Sequence, residues 1–165
     1  MSSYSRRLFL FGLSAGALST AGCIRPMLAK GSPAGKLQRR IELPAPRDRF
    51  GYYLEESLSK RLGRATAADF RLTISRKISE RGVAIAQDNS ATRITLLLEA
   101  EWQLVRLRDG TAVLSDKIAL QSGYNATTSL YATRQTRRDI ERRLARDLGN
   151  RIARAIQARA GEIAV

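Results

Sequence analysis

The 165-residue sequence contains no histidine. That excludes histidine-dependent acid–base catalysis and removes the commonest transition-metal ligand. A single cysteine, Cys23, leaves no partner for an internal disulfide. Acids are scarce, 15 against 29 lysines and arginines, for a net charge of +14. No apolar run approaches the roughly 20 residues needed to cross a bilayer as a helix. A phosphate-cradling glycine loop, a nucleophile elbow and an internal repeat are all missing.

The longest apolar run, Leu8–Leu18, follows Arg6 and Arg7 and leads into Ser19-Thr20-Ala21-Gly22-Cys23. A positive start, a short apolar middle and small residues at the end have the layout of a secretory leader. Ala21-Gly22-Cys23 resembles the end of a bacterial lipobox, with Thr20 where leucine is usual. Residues 1–22 are therefore expected to be a lipoprotein signal peptide and Cys23 the site of a covalent lipid such as palmitate. An acylated thiol cannot also serve as a nucleophile. Ser5-Arg6-Arg7-Leu8-Phe9-Leu10 resembles a twin-arginine export motif, and either export route is open.

Cleavage leaves 143 residues, enough for one domain with a real core. The leader holds two arginines and no acids, so the net charge falls from +14 to +12. So basic a chain is drawn to polyanions. An exported protein rarely meets nucleic acid, which favours anionic lipid headgroups or a phosphorylated glycolipid.

Residues 23–36 carry Pro26, Gly31, Ser32, Pro33 and Gly35 and read as a lipidated tether or an extended lead-in. The domain is expected over 37–165. Leu37, Ile41 and Leu43 alternate with polar residues as a short first strand, ended by Pro44 and Pro46. Asp48 is placed to cap a helix whose stripe is Phe50, Leu54, Leu58 and Leu62, with Gly63 as its stop. Phe70, Leu72, Ile74 and Ile78 mark a second strand that bends near Arg81-Gly82. Ile94, Leu96, Leu98, Ala100, Trp102 and Leu104 mark the third, with Glu99 and Glu101 on its other face.

Register argues the next turn. A three-residue loop, Arg108-Asp109-Gly110, pairs Leu104 with Leu114 and Ala100 with Ile118, with Gly110 left-handed and Asp116 opposite Trp102. A two-residue Asp109-Gly110 turn would mix the faces. Residues 121–129 are polar, and Asn125-Ala126-Thr127 is a glycosylation sequon made idle by a bacterial leader. A long helix is expected from about Leu130 to Ala160, with the stripe Ile140, Leu144, Leu148, Ile152 and Ile156. The order is β-α-β-β-β-α. The fold class that satisfies it is α+β, a two-layer sandwich with two helices on one face of a four-stranded mixed sheet and a polar opposite face.

Three stretches carry a family resemblance: Cys23-Ile24-Arg25-Pro26-Met27, Arg47-Asp48-Arg49-Phe50-Gly51-Tyr52-Tyr53-Leu54, and Ala84-Ile85-Ala86-Gln87-Asp88-Asn89-Ser90-Ala91-Thr92-Arg93. With them the chain resembles the LPS-assembly lipoprotein family, LptE, in an alphaproteobacterial form. The resemblance implies an outer-membrane lipoprotein on the periplasmic side, not an enzyme, with no cofactor beyond the lipid on Cys23. Its partners would be the LptD β-barrel, whose lumen it plugs, and lipopolysaccharide, with no nucleic acid. No motif fixes the ligand contacts. Charge near the hairpin suggests Arg106, Arg108 and Lys117 as contacts to lipopolysaccharide phosphates. Three other readings compete. One is an auxiliary lipoprotein of an ABC-type lipid transporter, another a periplasmic hydrolase using Glu99 and Glu101, and the third a nucleic-acid-binding module.

Overall fold

The computed structural model describes residues 31–85, 91–125 and 129–163. The signal peptide, Cys23, most of the tether, Ala86–Ser90 of the third family stretch and Ala126-Thr127 of the sequon lie outside them.

The first element corrects the sequence reading. Pro33–Leu37, expected as lead-in and strand, is a one-turn helix, α1. Ser32 caps it by accepting from the Gly35 amide at 3.0 Å, and Pro33 occupies the first turn, where its missing N–H costs nothing. Ala34 and Leu37 are buried in the core. The strand that follows, β1, is only Ile41–Glu42.

Helix α2, Arg49–Leu62, starts and stops where expected. Asp48 accepts from the Gly51 amide at 2.7 Å, and Gly63 ends the helix at φ +75°. Phe50, Leu54, Leu58 and Leu62 are buried, and so is Ser57. The three long strands are β2 (Phe70–Ile85), β3 (Ala91–Arg106) and β4 (Ala112–Asn125). The sheet order is β1-β2-β3-β4, with β1 parallel to β2 and the other pairs antiparallel. The expected bend in β2 is a pair of register shifts between Gly82 and Ile85. Gln121–Asn125, set aside as a polar stretch, continues β4, because Tyr124 turns inward beside Leu120.

The register of the β3–β4 hairpin is the expected one from Leu104 back to Arg93: Leu104 faces Leu114, Ala100 faces Ile118 and Trp102 faces Asp116. The turn itself is one residue longer than expected. Arg106 N–H donates to the Thr111 carbonyl at 2.8 Å, so the loop is Leu107–Gly110. A shift of register between Leu104 and Val105 absorbs the extra residue, leaving Val113 as a bulge. Gly110 takes the left-handed position at φ +69°.

Helix α3, Leu130–Ala158, runs into a 3₁₀ turn at Ala160–Glu162. Its stripe Ile140, Leu144, Leu148, Ile152 and Ile156 is buried, together with Ala145, Gly149 and Ala153. Both long helices cover one face of the four-stranded sheet, as expected for this α+β class. The core lies between the layers, around Trp102, Phe70, Leu98 and Ile152.

One ion pair joins the layers where α2 begins. Arg76 reaches off β2 to both Asp48 oxygens, at 2.7 and 2.5 Å, and its guanidinium carbon stands 4.4 Å from the centre of the Phe50 ring. The Arg76 hydrogen bonds, then the Gly51 amide, hold the Asp48 carboxyl below its ordinary value. A lowered carboxyl stabilises the fold above the unfolded value of about 3.9 and loses that contribution as pH falls through the folded one. Asp48→Asn keeps a capping oxygen but removes the charge. Its midpoint in urea is expected to lie below that of the parent protein at pH 7, with a smaller gap at pH 3. Equal gaps at both pH values would show the carboxylate charge to be irrelevant.

Candidate functional site

The sheet face away from the helices is built by strand alternation. On β2 it presents Arg71, Thr73, Ser75 and Lys77, on β3 Glu99, Glu101 and Gln103, and on β4 Ser115, Lys117, Ala119 and Gln121, all exposed. Each alternates with a residue turned toward the helices, so the polarity of this face follows from the same period that makes the core. The face is continuous across three strands and its charge is mixed.

Glu99 and Glu101 lie on this face. Glu101 is opposite Lys117, and their charged ends meet at 2.5 Å. That contact raises the Lys117 ammonium above its ordinary value through the hydrogen bond and charge of Glu101. Glu99 sits opposite Lys77 in the β2 register. Both carboxylates thus face basic residues on neighbouring strands, the arrangement that stabilises an antiparallel pair.

The hairpin end is a second feature. A pocket of about 400 Å³ there is lined by Arg40, Asp69, Phe70, Arg106, Leu107 and Arg108. Asp69 pairs with Arg40. Arg106 and Arg108 both approach Asp109, at 3.3 and 3.6 Å. The Thr111 amide donates to Asp109 at 3.0 Å and, with Arg106, holds that carboxyl below its ordinary value. Backbone bonds stitch this end together: Leu107 N–H donates to the Asp69 carbonyl, and Asp69 N–H to the Arg40 carbonyl.

The three cations grouped by sequence do not form one cluster. Arg106 and Arg108 stand at the turn, Arg106 largely covered and Arg108 open to solvent. Lys117 is opposite Glu101, five residues back along β3, which is roughly 17 Å. Arg106 shares the parity of Leu104, and Lys117 lies on the polar face. Sequence reasoning missed Asp69, which meets Leu107 where the β2–β3 ladder ends, and Arg40, which reaches Asp69 through the β1–β2 pairing. A two-residue strand gives no periodic signal of that contact.

Among the described residues no helix is long and apolar enough to cross a membrane. The fold and its exposed face define a small two-layer α+β domain with one helix-covered side and one broad polar side. The lipopolysaccharide-assembly family LptE matches the chain over residues 38–156, and the chain belongs to that family. No curated protein sequence matches it. Among solved structures, it is similar to a chain described as a lipoprotein from Caulobacter crescentus, at 25% identity and TM-score 0.63, covering 81% of this chain and 98% of that one. Rare lipoprotein B of Shewanella oneidensis shares the fold at 12% identity and TM-score 0.59, over 73% of this chain and 94% of that one. A minor lipoprotein of Acinetobacter baumannii does so at 18% identity and TM-score 0.56, over 74% and 93%.

Proposed function

We propose that this chain is a non-enzymatic outer-membrane lipoprotein, held on the periplasmic side by a lipid on Cys23, that docks in the lumen of the LptD β-barrel and assists lipopolysaccharide assembly. Membership of the LptE family supports the assembly role. The observation that carries the docking role is the polar sheet face. The interior of a transmembrane barrel is polar. A domain seated there needs a wide polar surface with few apolar groups, and β2, β3 and β4 supply one. The test is to solubilise the protein in detergent, capture it and identify its stoichiometric partner. A β-barrel is the expected partner; an inner-membrane ABC transporter in its place would overturn the reading.

Within this proposal the lipopolysaccharide phosphates are met by Arg106 and Arg108 at the turn and separately by Lys117 on the sheet face. A cation on a phosphate makes a charge-assisted hydrogen bond, worth about 1.5–3 kcal/mol before competing partners are counted. Arg108→Gln is expected to weaken glycolipid binding about tenfold, because Arg108 is the open cation of the pair. Lys117→Gln is expected to do less, since it must leave Glu101 to bind. Unchanged affinity at low salt with all three neutralised would remove these residues from the site.

A further inference from the structure

The chain enters the described domain at Gly31–Ser32, at the same end as the β3–β4 turn. Four backbone bonds fix this. Arg39, in the left-handed region at φ 61°, donates from its amide to the Leu62 carbonyl at 2.9 Å and accepts from Thr66 N–H at 3.1 Å. Arg40 then accepts from Asp69, and Asp69 from Leu107. Residues 38–40, 62–69 and 106–108 therefore form one end of the molecule, and α1 leads into it.

This end is cationic and carries one large exposed apolar residue. Lys36 and Arg39 are exposed, and neither has an ion-pair partner among the described residues. The Arg64 side chain is 80% exposed and only 3.6 Å from Glu55. Leu107, which opens the turn, is a large hydrophobic residue 38% exposed. Charge alone does not choose an end, because arginines run the length of α3. The tether does. Nine residues from Cys23 to Ser32 span at most about 30 Å, whereas β3 alone is about 50 Å long. If Cys23 is acylated, the end with Lys36, Arg39, Arg64 and Leu107 is next to the bilayer, and the exposed Leu130–Tyr131 end stands off.

We propose that this end is a second membrane contact, in which Lys36, Arg39 and Arg64 meet anionic phospholipid headgroups and Leu107 enters the interface. The proposal rests on the anchor reading of Cys23 and not on the lipopolysaccharide reading; Arg108, which the two would share, is left out of the test. Each basic residue near an anionic leaflet adds to the attraction, and salt screens it.

The experiment uses the full lipidated protein. The acylated Cys23 leaves no free thiol, so an environment-sensitive fluorophore can be placed through Leu107→Cys, or through Tyr131→Cys at the far end. Vesicles are phosphatidylcholine alone or mixed with phosphatidylglycerol. The expected result is a blue shift at position 107 on the anionic vesicles only, none at 131, reversed by high salt. The combined Lys36→Gln, Arg39→Gln and Arg64→Gln variant is expected to lose most of that shift, its attraction falling on the order of 100-fold. Equal shifts on neutral and anionic vesicles, equal shifts at 107 and 131, or no effect of the triple variant would overturn the proposal. So would a shift that requires lipopolysaccharide in place of phosphatidylglycerol. Flotation with neutral vesicles in high salt tests the anchor separately. Its failure would sink the anchor reading and leave the Cys23 thiol free; with Cys23→Ser added to both labelled variants, the response on anionic vesicles would still decide the contact, since charge attraction needs no acyl chain.

Discussion

Trp102→Ala is expected to destabilise the domain by about 4 kcal/mol and to lower its melting temperature by roughly 10–15 °C. Trp102 is fully buried in the middle of β3, between Ile74 on β2 and Asp116 on β4. Neither neighbouring strand can close over the space its ring leaves, because both are held by ladders on either side. The cost is therefore the lost transfer of the ring plus the cavity behind it. Its indole N–H has no hydrogen-bond partner among the described residues. Trp102→Phe removes that donor while keeping most of the apolar volume, so the two effects oppose and the net change is expected to be under about 1 kcal/mol. Urea denaturation of the pair checks both. A small loss for the alanine variant would mean that the ring does not sit at the centre of the packing.

The elements legible in the sequence are those long enough to show a period. Phe50, Leu54, Leu58 and Leu62 place α2, and Ile140 to Ile156 place the buried half of α3. The alternation from Ile94 to Leu104 gives both faces of β3, and with them the polar side of the sheet. Two further details were readable from local chemistry: Asp48 as a cap and Gly110 as the left-handed residue of the turn. What stayed hidden depends on contacts between distant parts of the chain. Pro33–Leu37 is a single turn made of tether-like residues, too short to show a period; the Ser32 cap starts it, and the burial of Ala34 and Leu37 completes it. The bulge at Val113 and the four-residue loop cancel in register, so hydrophobic pairing cannot distinguish them from a three-residue loop without a bulge. Tyr124 is the one strong apolar residue in Gln121–Asn125, too few for alternation to register. The grouping of Arg106, Arg108 and Lys117 failed on geometry. Proximity in sequence around a turn is not proximity in space once the strand rises about 3.3 Å per residue and alternate side chains change faces.

The same limit applies to the helix pair, where one residue sets how closely α2 and α3 approach. Gly149 lies in the buried stripe of α3, and a Cβ placed on it would overlap Ser57 Oγ and come within 3.0 Å of the Leu54 carbonyl oxygen. Ser57 cannot simply rotate away, because its hydroxyl is buried and donates to that same carbonyl at 3.0 Å. Gly149→Ala gains about 1 kcal/mol of helix propensity, whereas overpacking at a contact between helices costs up to about 3 kcal/mol. The clash wins, and a net loss of about 2 kcal/mol is expected, read as a lower midpoint in urea. The identity of the clashing atom makes a sharper statement. Ser57→Ala alone removes one hydroxyl and is expected to cost under about 1 kcal/mol, since the Leu54 carbonyl can remain bonded within its helix. Combined with Gly149→Ala it removes the atom that the new Cβ would strike, so the double variant is expected to be more stable than Gly149→Ala itself. The Ser57 Cβ at 3.2 Å and the Leu54 oxygen at 3.0 Å would still be tight, which limits the recovery to a part. Strict additivity of the two changes would show that α2 and α3 do not meet through Ser57 and Gly149.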